Sequence, residues 1–114
     1  MRVYLAGPMR NLPQFNFPAF FQAEKELRYK GHEVFNPARR DIEKYGKGVA
    51  DSPTGDLKDT AKTGFNLRDA LASDLAWICL NADAVALLPG WTKSKGAQAE
   101  HAVAVALDLE LIYL

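Results

Sequence analysis

Two kinds of apolar pattern alternate along the chain: short unbroken runs and longer runs with helical spacing. Val3-Tyr4-Leu5 behind Arg2 reads as a buried strand, and the Gly- and Pro-punctuated stretch Ala6 to Asn11 leaves it as a loop. Phe20, Phe21, Ala23 and Leu27 keep helical period, with Pro18 suited to a first helical position and Gly31 to the residue past its end. Glu33-Val34-Phe35 is a second short strand. Asn66 can cap a helix over Leu67 to Leu80, whose apolar set is Leu67, Ala70, Leu71, Leu75, Ala76, Ile78 and Cys79. Ala84 to Leu88 carries no polar alternation, as a central parallel strand covered on both faces would not. After a Pro89-Gly90 turn comes an alanine- and valine-rich helix beginning near Ser94, and Glu110 to Leu114 forms a fourth strand.

Residues 36–65 break the pattern. They are rich in charge, Gly and Pro with weak periodicity, and read as a long loop with at most one short helix. A loop of that length in a compact domain is commonly a lid or a binding segment.

Strands alternating with helices predict a three-layer α/β domain, a flavodoxin- or Rossmann-like parallel sheet of four to five strands in the order 2-1-3-4. The switch point then lies between strands 1 and 3. The loops leaving those strands converge on one crevice, where open α/β sheets bind ligands.

Composition narrows the function classes. A chain of 114 residues is one domain, and 48% hydrophobic residues suffice for a core. Fourteen basic against 14 acidic residues give no net charge, so the basic footprint of a nucleic-acid-polymer binder is missing. No apolar run approaches the ~20 residues that span a bilayer. With a strand starting at Arg2 and no signal-peptide pattern, a cytoplasmic protein is expected. Cys79 has no partner for an internal disulfide and is expected to be a buried packing residue. The two histidines, His32 and His101, lack metal-ligand spacing, and neither a Walker loop nor a full G-x-G-x-x-G is present, so no metal or cofactor is implied.

Glu100 stands out. It sits on an apolar helix just past a strand end, where a carboxylate is costly and a ligand is expected. Tyr4, on strand 1, can lend it a hydroxyl across the sheet. Asp74, within Ser73-Asp74-Leu75-Ala76-Trp77, is either a helix-surface acid or one that holds a proton for a substrate. Gly7 permits close backbone approach, Arg10 follows three residues later, and Ser94-Lys95-Gly96 opens a helix whose free N–H groups favour an anion. An arginine and a hydroxyl there suggest a phosphate. Lys95 reads as a solvated charge. Trp91 and Phe15 are candidates for stacking on a planar ligand, with rim or core packing as the alternative. His101 points about 100° away from Glu100 around the helix.

Tyr4-Leu5-Ala6-Gly7-Pro8-Met9-Arg10, Asp74-Leu75-Ala76-Trp77 and Ser94-Lys95-Gly96-Ala97-Gln98-Ala99-Glu100 together resemble the nucleoside 2-deoxyribosyltransferase-like superfamily. Within it, Ala6-Gly7-Pro8-Met9, Phe35-Asn36-Pro37 and Leu88-Pro89-Gly90-Trp91 resemble DUF4406, a group of small proteins common in phages and prophages. The resemblance implies cleavage of an N-glycosidic bond. Glu100 would be the nucleophile, Tyr4 the residue orienting it, and Asp74 an acid that helps protonate the leaving base. Ser94 lies six residues before Glu100, where the transferases of the superfamily carry an acid and the deoxynucleoside 5′-monophosphate hydrolases a serine; those hydrolases also have an arginine at the place of Arg10. A nucleotide N-hydrolase is therefore favoured over a transferase. Two departures are visible: Pro8 follows Gly7 where the hydrolases have serine, and the chain stops at Leu114 where these enzymes continue. A module that binds a nucleotide without cutting it is the competing class. Surplus apolar surface on the helices around Glu100 and Asp74 suggests a homodimer or higher homo-oligomer.

Overall fold

The four unbroken apolar runs become β1 (Arg2–Ala6), β2 (Glu33–Phe35), β3 (Ala84–Leu87) and β4 (Glu110–Tyr113) in a computed structural model that describes residues 1–114. All three strand pairings are parallel, and the order is β2-β1-β3-β4, as the alternation of elements predicts. The helices are α1 (Phe17–Tyr29), α2 (Pro37–Tyr45), α3 (Leu67–Asn81) and α4 (Lys95–Ala106).

The period of two along each strand sorts the core into two layers. Val3, Leu5, Ala84 and Ala86 face one side and pack with Phe20 and Leu27 of α1. Tyr4, Ala6, Val85 and Leu87 face the other and pack with Ile78 of α3 and Ala97 and Ala104 of α4. Helix starts are fixed by side chains that accept otherwise unpaired backbone N–H groups. Asn66 accepts from Asp69 N at 3.1 Å, and Ser94 Oγ accepts from Ala97 N at 3.2 Å.

Residues 36–65 are not the long loop that their weak periodicity suggested. Asn36 caps α2 by accepting from Ala38 N at 2.9 Å, and Pro37 starts the helix. Its charged residues Arg39, Glu43 and Lys44 are exposed, while Pro37, Ala38 and Asp41 form a narrow buried stripe. Two 3₁₀ segments follow, Lys47–Ala50 and Leu57–Thr63. The stretch is stitched to the loop after β1, with Asn11 N donating to Gly55 O at 2.9 Å and Gln14 N to Ser52 O at 2.8 Å. Gly55 has φ 75°, and a Cβ there would fall 2.3 Å from Leu12 O, so only glycine permits the contact. Ser52 Oγ accepts from Gly55 N at 2.9 Å and donates to Asp59 Oδ2 at 2.6 Å, which closes the turn.

Cys79 is exposed rather than buried. The inward stripe of α3 is Ala70, Asp74 and Ile78, four residues apart, and Cys79 is rotated about 100° off it. No helix is long and apolar enough to cross a membrane.

Each of the four helices buries one acidic residue on its inward stripe: Glu24 on α1, Asp41 on α2, Asp74 on α3 and Glu100 on α4. Three of them line the same cavity.

Candidate functional site

The cavity opens at the carboxyl ends of β1 and β3, where the strand order reverses. Its inner chamber, about 120 Å³, is mostly apolar and is lined by Tyr4, Asp41, Asp74 and Glu100 among aromatic and aliphatic side chains. Met9, Arg10, Ser94 and Gly96 lie where this chamber meets an open trough of about 600 Å³, along which Lys93 and Lys95 stand.

Tyr4 donates its hydroxyl to Glu100 Oε2, joining β1 to α4 across the sheet as the sequence suggested. The ring is fixed by stacking on Phe35 (centroids 5.5 Å apart), and Trp77 touches both rings. Trp77 lies on α3 one turn beyond Asp74, so the residue that braces Tyr4 also orients the helix face that presents the acid.

Burial pushes the Glu100 carboxyl up to about 8, with the Asp74 charge adding to the rise and the Tyr4 hydrogen bond opposing it. Burial likewise takes Asp74 to about 7; Asp41 raises it further, while Arg40 and Tyr4 pull it down. Asp41 reaches about 6 through burial, held back by Arg40, whose Nη1 lies 3.3 Å from Asp41 Oδ1, and by Lys44. Tyr4 is raised well above its ordinary value by burial and then by Glu100 and Asp74, so it remains a neutral donor. The Tyr4 hydroxyl points its proton at Glu100, which supports the negative charge there and offsets part of the rise that burial causes. Asp74 Oδ1 is buried with no partner, a costly arrangement in the absence of a ligand.

Ser94 has a dual position. Its Oγ caps α4, which leaves the hydroxyl proton free to reach an anion at the helix start. Arg10 is exposed and forms no ion pair. Gly7 lines the chamber, and a Cβ there would lie 2.7 Å from Leu88 Cβ, so its bareness is demanded by the neighbouring strand end. Phe15 also lines the chamber. It sits in a run of three left-handed residues, Gln14, Phe15 and Asn16, with φ 54°, 51° and 62°. Such backbone costs about 1–2 kcal/mol per residue and persists where surrounding bonds over-determine it, here including Asn16 Nδ2 to Pro8 O at 3.0 Å.

Trp91 is not brought to this site. The Pro89-Gly90 turn directs it onto the His101 side of α4, where the rings stack with centroids 4.3 Å apart and Tyr113 lies beside them. His101 thus faces away from Glu100, as the helical spacing required. The residue that sequence reading missed is Asp41. Its signal was present: Asn36-Pro37 is a cap followed by a first-turn proline, and Ala38, Asp41, Ile42 and Tyr45 keep helical spacing.

No curated protein and no solved structure matches the chain. A family model matches over residues 1–113: the protein belongs to DUF4406, a domain of unknown function.

Proposed function

We propose that the protein cleaves the N-glycosidic bond of a deoxynucleoside or nucleoside 5′-monophosphate, releasing the base. The observation that carries this reading is Glu100: a buried carboxyl with Tyr4 as its hydrogen-bond donor, at the wall of a chamber that also holds Asp74. The site has an apolar inner end and an outer rim with Arg10, the Ser94 hydroxyl and the start of α4. A planar base and an anionic phosphate fit these two ends in one orientation, which sets C1′ near Glu100.

The sugar in such a reaction becomes positively charged as the base departs. Ionised Glu100 stabilises that charge and forms a bond from a carboxylate oxygen to C1′ while the C1′–N bond breaks. The bond's electrons leave with the base, which takes a proton from Asp74. Asp74, now ionised, accepts a proton from a water that attacks C1′; the ester bond breaks and Glu100 leaves as carboxylate. Both carboxyls then have their starting charge. Since the reaction needs Glu100 ionised and Asp74 protonated, and the two titrate near 8 and 7, the rate should follow a narrow bell around neutral to mildly alkaline pH.

A second reading has its own support. Burial holds Glu100 protonated over much of the neutral range. A neutral Glu100 donates a hydrogen bond to a ligand instead of attacking it, which suits a nucleotide-binding module. Incubation with a panel of deoxynucleoside monophosphates, followed by chromatography for free base, separates the two. Base release that falls by at least about 10³-fold in Glu100→Gln supports hydrolysis. Tight binding with no base release supports the binding module, and release in the presence of a second base with formation of a new nucleotide would mark a transferase. Arg10→Ala should raise KM for the monophosphate more than for the nucleoside.

The reading extends to assembly. Leu80 on α3 is 79% exposed and Val105 on α4 52% exposed, on helices that pack side by side. A second copy would cover them, making a homodimer that acts on cytoplasmic nucleotides. Light scattering at micromolar concentration tests this, and a monomer would contradict it.

A further inference from the structure

Asp41 is the one chamber-lining carboxyl with no role in the scheme above. It comes from α2 and meets Asp74 of α3 in the same inner chamber. Asp74 is 8% exposed, and its Oδ1 has no partner. A buried acceptor left bare beside a second carboxyl is a place for a ligand to supply what the protein withholds.

We propose that Asp41 is a specificity-determining residue: with Asp74 it forms an edge that selects nucleobases carrying an amino group next to an acceptor ring nitrogen. The inference rests on the nucleotide reading of the site. The outer rim, with Arg10 and Ser94, takes the phosphate, so the base occupies the inner end where α2 and α3 meet. Two adjacent carboxyls there cannot both ionise cheaply, and one proton shared between them satisfies both. The cations decide where it sits. Arg40 Nη1 holds Asp41 Oδ1, and Lys44 adds a second positive charge on the same helix, so Asp41 is the ionised member. Asp74 has only the Arg40 charge and the Tyr4 hydroxyl in its favour, with burial and Asp41 opposing, so it keeps the proton.

The pair therefore presents one donor, the Asp74 O–H, and one acceptor, the Asp41 carboxylate. The donor must meet an acceptor on the base, because it is the acid that protonates the leaving group. In a purine that acceptor is N7, and its neighbour is the substituent on C6; in cytosine it is N3, beside the amino group on C4, whereas uracil carries a hydrogen on N3. An amino group at that neighbour donates to Asp41. A carbonyl oxygen instead confronts a carboxylate, acceptor to acceptor, and leaves both desolvated and unpaired. Adenine and cytosine fit; hypoxanthine, guanine and uracil do not.

The test uses two substrates that differ at C6 and in the N1 hydrogen that goes with it, deoxyadenosine and deoxyinosine 5′-monophosphate, with the full-length wild type and Asp41→Asn. Base release and calorimetric binding are both measured. The wild type is expected to favour the amino compound by at least about tenfold. Asp41→Asn, whose amide can donate as well as accept, should bring the two within about threefold, chiefly by gaining on the oxo compound. Should the variant not fold, the wild-type ratio alone decides. Base release without a preference, or a preference that survives Asp41→Asn unchanged, overturns the role of Asp41 and leaves the hydrolase reading standing. Amino-selective binding that Asp41→Asn erases, with no base release, keeps the role of Asp41 and overturns hydrolysis. Absence of both binding and release overturns both.

Discussion

Glu24 and Glu100 are the same residue type, on the inward stripes of two helices, 2% and 6% exposed. Their surroundings differ completely. Glu24 receives Arg28 Nε at 2.9 Å, Arg39 through Nε and Nη2 at 2.8–3.1 Å, and Asn36 Nδ2 at 3.2 Å. Burial alone would raise its pKa, but the hydrogen bonds from Arg39, Asn36 and Arg28 outweigh it and lower the value. Glu100 has one neutral donor, Tyr4, and a second carboxyl for a neighbour, and its pKa rises. A buried charge surrounded by cationic donors ties together α1, β2 and α2. A buried charge left short of donors is expensive to the fold and is kept where a ligand or a transition state can use it.

The largest effect that separates the two is a pH-dependent gain of stability in Glu100→Gln. The folded protein holds the Glu100 proton up to about pH 8, against an ordinary value of 4.5. Stability from this site is therefore full below about pH 4.5 and drains away as pH rises towards 8. A glutamine is always neutral and escapes that loss. Urea unfolding should find the variant equal to wild type near pH 4 and more stable by about 3–4 kcal/mol at pH 8. If the two proteins keep the same difference at every pH, Glu100 does not titrate in the fold and the contrast with Glu24 is lost.

Glu24→Gln should move the other way. The lowered pKa means that its contribution is present above the unfolded value near 4.5 and disappears as acid protonates the folded carboxylate. At pH 7 the variant should lose about 2–3 kcal/mol, since Arg28 and Arg39 remain without their anion. The loss should shrink steadily below pH 4. A deficit that stays constant into acid would assign it to packing instead of charge.

The same contrast measures what the sequence discloses. Runs such as Val3-Tyr4-Leu5 and Ala84 to Leu88 fix strands because nothing polar interrupts them, and the alternation with helices dictates the parallel order. Glu100 was legible because an acid among alanines and valines has no inexpensive reason to be there. Asp41 was not, because it lies among Arg39, Arg40, Glu43 and Lys44, and charge density masked a stripe only three residues wide. The choice between the two readings of Trp91 was not legible for another reason: it belongs to a turn, and a turn's direction depends on the residues it lands against, here His101 and Tyr113. Glu24 gave a hint through its Arg28 partner four residues on, yet Arg39, fifteen residues away, does most of the pairing and follows only from the fold. Helix-internal periodicity is local, whereas the choice between a paired and a bare carboxyl is made by residues distant in sequence.

The smallest effect expected is in Tyr4→Phe, and it tests whether Glu100 has the single donor that sets it apart. The hydroxyl lies within the core and is neutral across the accessible pH range. Removing it leaves ionised Glu100 without a hydrogen bond but costs protonated Glu100 little, so the Glu100 pKa should climb by about one unit, worth about 1.4 kcal/mol between the two protonation states. Near pH 5 the variant should match wild type, since phenylalanine fills the same stack between Phe35 and Trp77. Near pH 9 it should be less stable by about 1 kcal/mol. In a Glu100→Gln background the pH-dependent part should shrink to what the hydroxyl gives Asp74, its lesser carboxyl neighbour, and a double-mutant cycle reads the Glu100 coupling directly. A pH-dependent part that survives undiminished in that background would mean that the hydroxyl serves Asp74 instead. Glu100 would then have no donor at all, and only burial and the Asp74 charge would set its pKa.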